Sequence, residues 1–249
     1  MNTLEICCYS ATSAIKAAEA GADRIELCEN FTEGGTTPSY ATIKYVLDHV
    51  NIPVNVIVRP RGGDFLYNDA EFEIMKQDAL KVKELGANGI VFGMLTASGD
   101  INIYQTKEIQ ELVFPLECTF HRAFDMCNDV FKALQQLKEL RIDRILTSGR
   151  KNTAYEGVNI LKHLVELAQK DIIIMPGSGI NDKNIEEIYI KTKATEYHAS
   201  CKTFEKSEMT YFNPDIQMGK NKDINEYQKI SVDDVQIKQL LSVLKKCAL

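Results

Sequence analysis

The chain has 249 residues, a formal net charge of −6 and 45% hydrophobic residues, enough for one large α/β domain or two small ones. The acidic balance argues against a nucleic-acid backbone or an anionic membrane as the main partner. No apolar stretch approaches the ~20 residues that span a bilayer. The opening residues Met-Asn-Thr-Leu-Glu carry no basic region or long apolar run, which predicts a cytoplasmic protein with no signal peptide. Seven cysteines, an odd number without a CxxC pair, read as free thiols in a reducing compartment and exclude a zinc-finger spacing.

Short apolar runs alternate with longer amphipathic ones along the whole chain. Leu4–Tyr9 predicts a strand and Ala11–Ala20 the helix after it. The pattern continues with strand Arg24–Cys28 and helix Ser39–His49, then strand Val54–Arg59 and helix Ala70–Leu85. In that third helix Phe72, Met75, Ala79, Val82 and Leu85 recur at threes and fours, the helical period. Strand Gly89–Gly93 precedes helix Thr106–Leu112, and strand Leu116–His121 precedes helix Val130–Leu140. Strands Asp143–Thr147, Ile172–Met175 and Glu196–Ala199 follow, with helices Ala154–Gln169 and Lys183–Lys191 between them and Val232–Lys246 last. The strands are short and rich in Ile, Val, Leu and Cys, as strands covered on both faces should be.

Eight strands alternating with eight helices predict a single-domain (β/α)8 barrel over residues 1–249. One αβ junction recurs: Ala-Gly-Ala-Asp-Arg-Ile at 20–25, Leu-Gly-Ala-Asn-Gly-Ile at 85–90 and Leu-Arg-Ile-Asp-Arg-Ile at 140–145. Two connections are long. Pro60–Asp69 follows the third strand, and residues 202–231, after the eighth, read as a long loop before the final helix, residues 232–246.

In such barrels the site lies where the strands end. Taking alternate strand positions as inward, the polar interior set is Glu5, Cys7, Glu26, Cys28, Arg59, Thr119, His121, Thr147, Glu196 and His198. Ionisable groups gathered at one rim must pair with each other or bind something. Glu5, Glu26, Arg59 and His198 therefore read either as a buried network that fixes strand register or as part of a site; their convergence favours a site. His121 is the leading acid–base residue, with Asp125 a carboxylate that could orient it. A satisfied core histidine is the plain alternative. In Arg59-Pro60-Arg61-Gly62-Gly63-Asp64 the two guanidinium groups suit an anion; salt bridges to Glu33 or Asp64 would account for them equally.

The ends of strands six to eight carry Gly149, then Gly177-Ser178-Gly179, then Ser200. Backbone N–H groups after the last strands of such barrels commonly hold a phosphate, and these residues are the expected phosphate contacts. Cys7 and Cys28 fall on adjacent strands and the same face, where two soft thiolates would prefer Cu(I) to harder cations. Burial as small hydrophobes is the alternative.

Taken together, several ordered blocks resemble the CutC family. They are Ala22-Asp23-Arg24-Ile25-Glu26-Leu27-Cys28, Glu33-Gly34-Gly35-Thr36-Thr37-Pro38-Ser39 and Arg59-Pro60-Arg61-Gly62-Gly63-Asp64-Phe65, followed by Thr119-Phe120-His121-Arg122-Ala123-Phe124-Asp125-Met126, Leu146-Thr147-Ser148-Gly149 and Met175-Pro176-Gly177-Ser178-Gly179-Ile180. The likeness runs from Leu4 to about Lys202. It implies a TIM barrel in the cytoplasm, a role in copper homeostasis with Cu(I) held by Cys7 and Cys28, and a homo-oligomer, a dimer foremost. The polar blocks, dominated by Arg, His, Asp and Gly, point to a second expectation. That is a lyase, isomerase or glycoside-cleaving enzyme acting on a small phosphorylated anionic metabolite, with Glu5, Glu26, Arg59, Arg61, His121, Asp125 and His198 as its catalytic set.

Overall fold

The computed structural model describes residues 2–216, 218 and 225–247. Eight strands form one parallel sheet: β1 (Thr3–Cys8), β2 (Arg24–Leu27), β3 (Val54–Ile57), β4 (Gly89–Phe92), β5 (Glu117–Phe120), β6 (Arg144–Thr147), β7 (Ile173–Pro176) and β8 (Glu196–Ala199). Their order is β7-β6-β5-β4-β3-β2-β1-β8, and β7 also lies beside β8. The sheet is therefore a nearly closed barrel. The helices are α1 (Ala11–Glu19), α2 (Tyr40–His49), α3 (Asp69–Glu84), α4 (Ile103–Val113), α5 (Val130–Glu139), α6 (Val158–Ala168), α7 (Ile185–Thr192) and α8 (Asp234–Cys247). The expected (β/α)8 architecture is the observed one.

Local chemistry explains the element ends. Ser10 and Ser39 cap α1 and α2 by accepting the N–H groups of Ser13 and Thr42, and Asn68 with Glu71 forms a capping box at α3. The recurring αβ junction has one geometry. Gly21, Gly86 and Arg141 all take positive φ just past their helices, at 98°, 84° and 58°, the left-handed stop of a helix C-terminus. Two residues on, Asp23, Asn88 and Asp143 each accept a backbone N–H at the start of the preceding strand, from Leu4, Val54 and Cys118 at 2.8, 2.9 and 2.7 Å. The repeated motif thus fastens neighbouring strand ends.

Differences from the expected boundaries are informative. Tyr9, Cys28, Arg59 and His121 lie just beyond their strands rather than within them, so they belong to the barrel mouth. Helix α4 begins earlier than expected because Asn102 caps it, and α6 begins later because residues 150–157 form turns. The stretch 202–231, expected as a loop, instead opens with strand β9 (Lys202–Lys206), which pairs antiparallel with β10 (Gln228–Val232). The tip of that stretch, at 217 and 219–224, lies outside the described residues.

Side chains fill the barrel in two tiers. Towards the N-terminal ends of the strands, Arg24 donates to Glu5 and Glu196, and Arg144 donates to Glu196 at 3.0 Å, to Glu117 at 3.0 Å and to Thr119 at 3.3 Å. Asn55 adds a 3.3 Å contact to Glu5. Above this polar tier stand Cys7, Cys28, Ile57 and Val91 in mutual contact, and over them the barrel opens.

Candidate functional site

At the C-terminal ends of the strands the mouth encloses a cavity of about 370 Å³. Cys7 and Glu26 form its floor with His198 and Leu146; Ile57, Arg59, Phe65 and His121 make one wall. Tyr9, Phe31 and Lys202 bound the other side, where the Lys202 ammonium sits 4.7 Å from the Phe31 ring centre and Tyr9 meets Phe31 edge-on at 5.2 Å.

Register brings the floor together. Cys7 pairs with Glu26 across β1 and β2, and His198 is the partner of Glu5 across β8 and β1. Cys7 Sγ lies 3.7 Å from Cys28 Sγ, and His198 Nε2 lies 2.6 Å from Glu26 Oε2. Candidate ligand atoms of Cys7, Glu26 and His198 all fall within 4.8 Å of one another. Hydrogen bonding from the Cys28 thiol lowers the Cys7 pKa against the opposing effect of burial. Burial and the proximity of Cys7 push the Cys28 thiol well up. Burial disfavours charge on His198 and Glu26 alike, but their attraction and shared hydrogen bond outweigh it. The imidazole is held well above its ordinary range, with Cys7 contributing, and the carboxyl below its own. The floor is the Cys7 thiol, backed by the buried Cys28, beside an imidazolium–carboxylate pair.

His121 is in a different state. Its Nδ1 accepts the Ala123 N–H at 3.2 Å, and burial, with the Arg59 charge second, pushes its pKa down to about 3. The ring is neutral near pH 7 with its proton on Nε2, an atom that is buried without a partner among the described residues. Such a group donates a hydrogen bond and is a poor proton acceptor at neutral pH. Asp125 does not orient it. That carboxylate accepts from Thr147 Oγ1 at 2.5 Å, from the backbone N–H groups of Ser148 and Arg150 and from Arg122 at 2.8 Å, tying the turn after β5 to the end of β6.

The remaining expected residues divide clearly. Ser178, Gly179 and Ser200 line the cavity, although Ser178 Oγ donates to the Asn152 carbonyl at 2.7 Å. Gly149 and Gly177 serve close packing: a side chain on the first would strike the backbone of Gly157, and on the second Leu146 and His198. Arg61 lies outside the cavity, bonded to Glu71 at 2.5 Å and Asp64 at 3.0 Å. Glu5 is fully buried in the lower tier below the cavity. Thr147, expected inward, faces Asp125 instead, while Arg144 and Leu146 of the same strand face the interior. The lining residues that sequence reasoning left out of the candidate set are chiefly aromatic or basic: Tyr9, Phe31, Phe65, Arg122 and Lys202. All but Phe65, which stands eight residues past β3, fall in the first few residues after a barrel strand, a positional signal that residue type alone did not reveal.

The CutC family model matches residues 2–203. The human copper homeostasis protein cutC homolog is 43% identical over 242 residues, 97% of this chain and 89% of that protein. A family protein CutC of Parabacteroides distasonis is 45% identical over 236 residues, 94% of this chain and 97% of that one. The crystal structure of a CutC from Streptococcus agalactiae superposes with a TM-score of 0.75 at 36% identity, covering 80% of this chain and 99% of that one. With its barrel and its sequence in agreement, the chain belongs to the CutC family.

Proposed function

We propose that the chain is a cytoplasmic copper-homeostasis protein that takes Cu(I) as cargo on Cys7 and Cys28, with His198 as third ligand. The observation that carries this reading is the pair of thiol sulfurs 3.7 Å apart, Cys7 at the cavity floor and Cys28 buried behind it. With metal–thiolate bonds of ~2.3 Å, that separation subtends roughly 107° at a bound ion. The angle suits a three- or four-coordinate ion rather than a linear one, and His198, whose ligand atom lies within 4.8 Å of those of Cys7 and Glu26, is the candidate for the next ligand. Two sulfurs and an imidazole select a soft monovalent ion over hard cations. The lowered pKa of Cys7 supports thiolate ligation, while His198 must release a proton before it can coordinate. The names of the human and bacterial relatives point the same way. Glu26, hydrogen-bonded to His198 at 2.6 Å, orients the imidazole and receives or shares its proton as the ion arrives.

An anaerobic titration against a competing Cu(I) chelator tests this. The native chain should take up one equivalent, and Cys7→Ser/Cys28→Ser should lose that uptake. Equal binding by both would reduce copper to nonspecific thiol chemistry.

A further inference from the structure

Cu(I) would occupy one end of a cavity of about 370 Å³. At ~30 Å³ per water, that space matches a small organic molecule. Arg59 and His121 line its other wall, and their buried Nε and Nε2 donors make no hydrogen bond to the described residues, with the Tyr67 hydroxyl beside Arg59 likewise unpartnered. The remaining Arg59 nitrogens donate to the carbonyls of Glu33, Gly35 and Gly63 at 2.7, 2.9 and 2.9 Å. This guanidinium is 5% exposed and has no carboxylate partner among the described residues. The two donors are neighbours through Phe65, whose ring centre lies 4.9 Å from that of His121 and 5.0 Å from Arg59 Cζ. His121 is held firmly: its Nδ1 accepts the Ala123 N–H, and a side chain on Gly93 would collide with the ring.

A buried charge without a counter-charge and a buried donor without an acceptor both cost free energy. An oxyanion at this wall would answer both. We propose that the cavity binds a small organic oxyanion, a carboxylate or a phosphate monoester, carried on a flat apolar body. The oxyanion accepts from Arg59 Nε and His121 Nε2, and the body packs on Phe65, Ile57 and Leu146, which line the same space. This puts the anion beside β3 and β5, opposite the β7–β8 loops where the sequence suggested a phosphate. The donors involved are distinct from the proposed copper ligands, so the inference stands apart from the Cu(I) reading.

Calorimetry on the metal-free chain tests it with benzoate, phenyl phosphate, inorganic phosphate and, as the neutral control, benzyl alcohol. At least one aromatic oxyanion should bind at a single site roughly tenfold or more tighter than benzyl alcohol and inorganic phosphate. Whether benzoate or phenyl phosphate binds better identifies the oxyanion. His121→Phe keeps a ring and removes the donor, and should weaken that binding roughly tenfold or more, the range for a hydrogen bond to a charged group. In the unmodified chain the His121 Nε2–H proton resonance should shift on saturation with the oxyanion and stay in place with benzyl alcohol. The proposal is overturned if no aromatic oxyanion saturates the chain at millimolar concentration, if benzyl alcohol or inorganic phosphate binds equally well, or if His121→Phe retains full affinity.

Discussion

Removing Arg24 would expose how the lower tier holds the barrel. The guanidinium bonds Glu5 on β1 and Glu196 on β8. In Arg24→Met, Glu196 keeps Arg144 at 3.0 Å. Glu5 is left with the 3.3 Å contact from Asn55, and its Oε1 already lacks a partner. The loss is thus concentrated on one fully buried carboxylate, for which breaking a buried pair costs about 3–5 kcal/mol. For a chain of this length that lowers the melting temperature by roughly 10 °C. Arg24→Met/Glu5→Gln removes the stranded charge and should recover about 2 kcal/mol of the loss. Urea unfolding followed by circular dichroism reads both variants, with an unchanged slope as the check on two-state behaviour. A single variant within about 1 kcal/mol of the native chain, or a double variant less stable than the single, would refute the assignment of Glu5 to structure.

The His198–Glu26 pair makes a pH prediction. His198, raised above its ordinary 6.5, contributes stability that is fully present below that pH and is lost as pH rises through its folded value; Glu26, lowered below 4.5, contributes stability present above that pH and lost as pH falls through its own. The stability difference between the native chain and Glu26→Gln should therefore peak between pH 4.5 and 6.5 and shrink on both sides; a difference flat from pH 4 to 9 would contradict the pairing. Arg141→Gly relieves a left-handed residue at φ 58° and should stabilise by about 0.5–1 kcal/mol, allowing for the looser unfolded chain. A lower melting temperature in that variant would show that the Arg141 side chain makes a contact worth more than the strain.

Much of this molecule was legible because two periodicities, two for strands and near four for helices, survive in a fold whose strands are buried on both faces. Alternation correctly turned Glu5, Cys7, Glu26, Cys28, His121 and His198 inward. It failed at β6. Counting polar residues selected Thr147 there, whereas Arg144, assigned to the repeated αβ junction, is the inward residue. Depth was also hidden. Glu5 and Cys7 share a face, yet one anchors the polar tier and the other floors the cavity. Pattern gives the side of a strand but not the height in the barrel at which a ligand would stop. Arg59 and Arg61 looked equivalent in sequence. The chain turns between them, so one reaches the cavity and the other meets Glu71. Lys202 and Phe31 meet only through the approach of β9 to the loop after β2, a long-range contact without a local sequence signal.

The most direct test of the copper assignment is X-ray absorption at the copper edge of the protein loaded with one equivalent of Cu(I) under reducing conditions. The geometry of Cys7, Cys28 and His198 predicts two sulfur scatterers and one nitrogen scatterer around the ion, with sulfur lost in Cys7→Ser/Cys28→Ser. A shell of nitrogen and oxygen alone, or a sulfur shell unchanged in that variant, would contradict it.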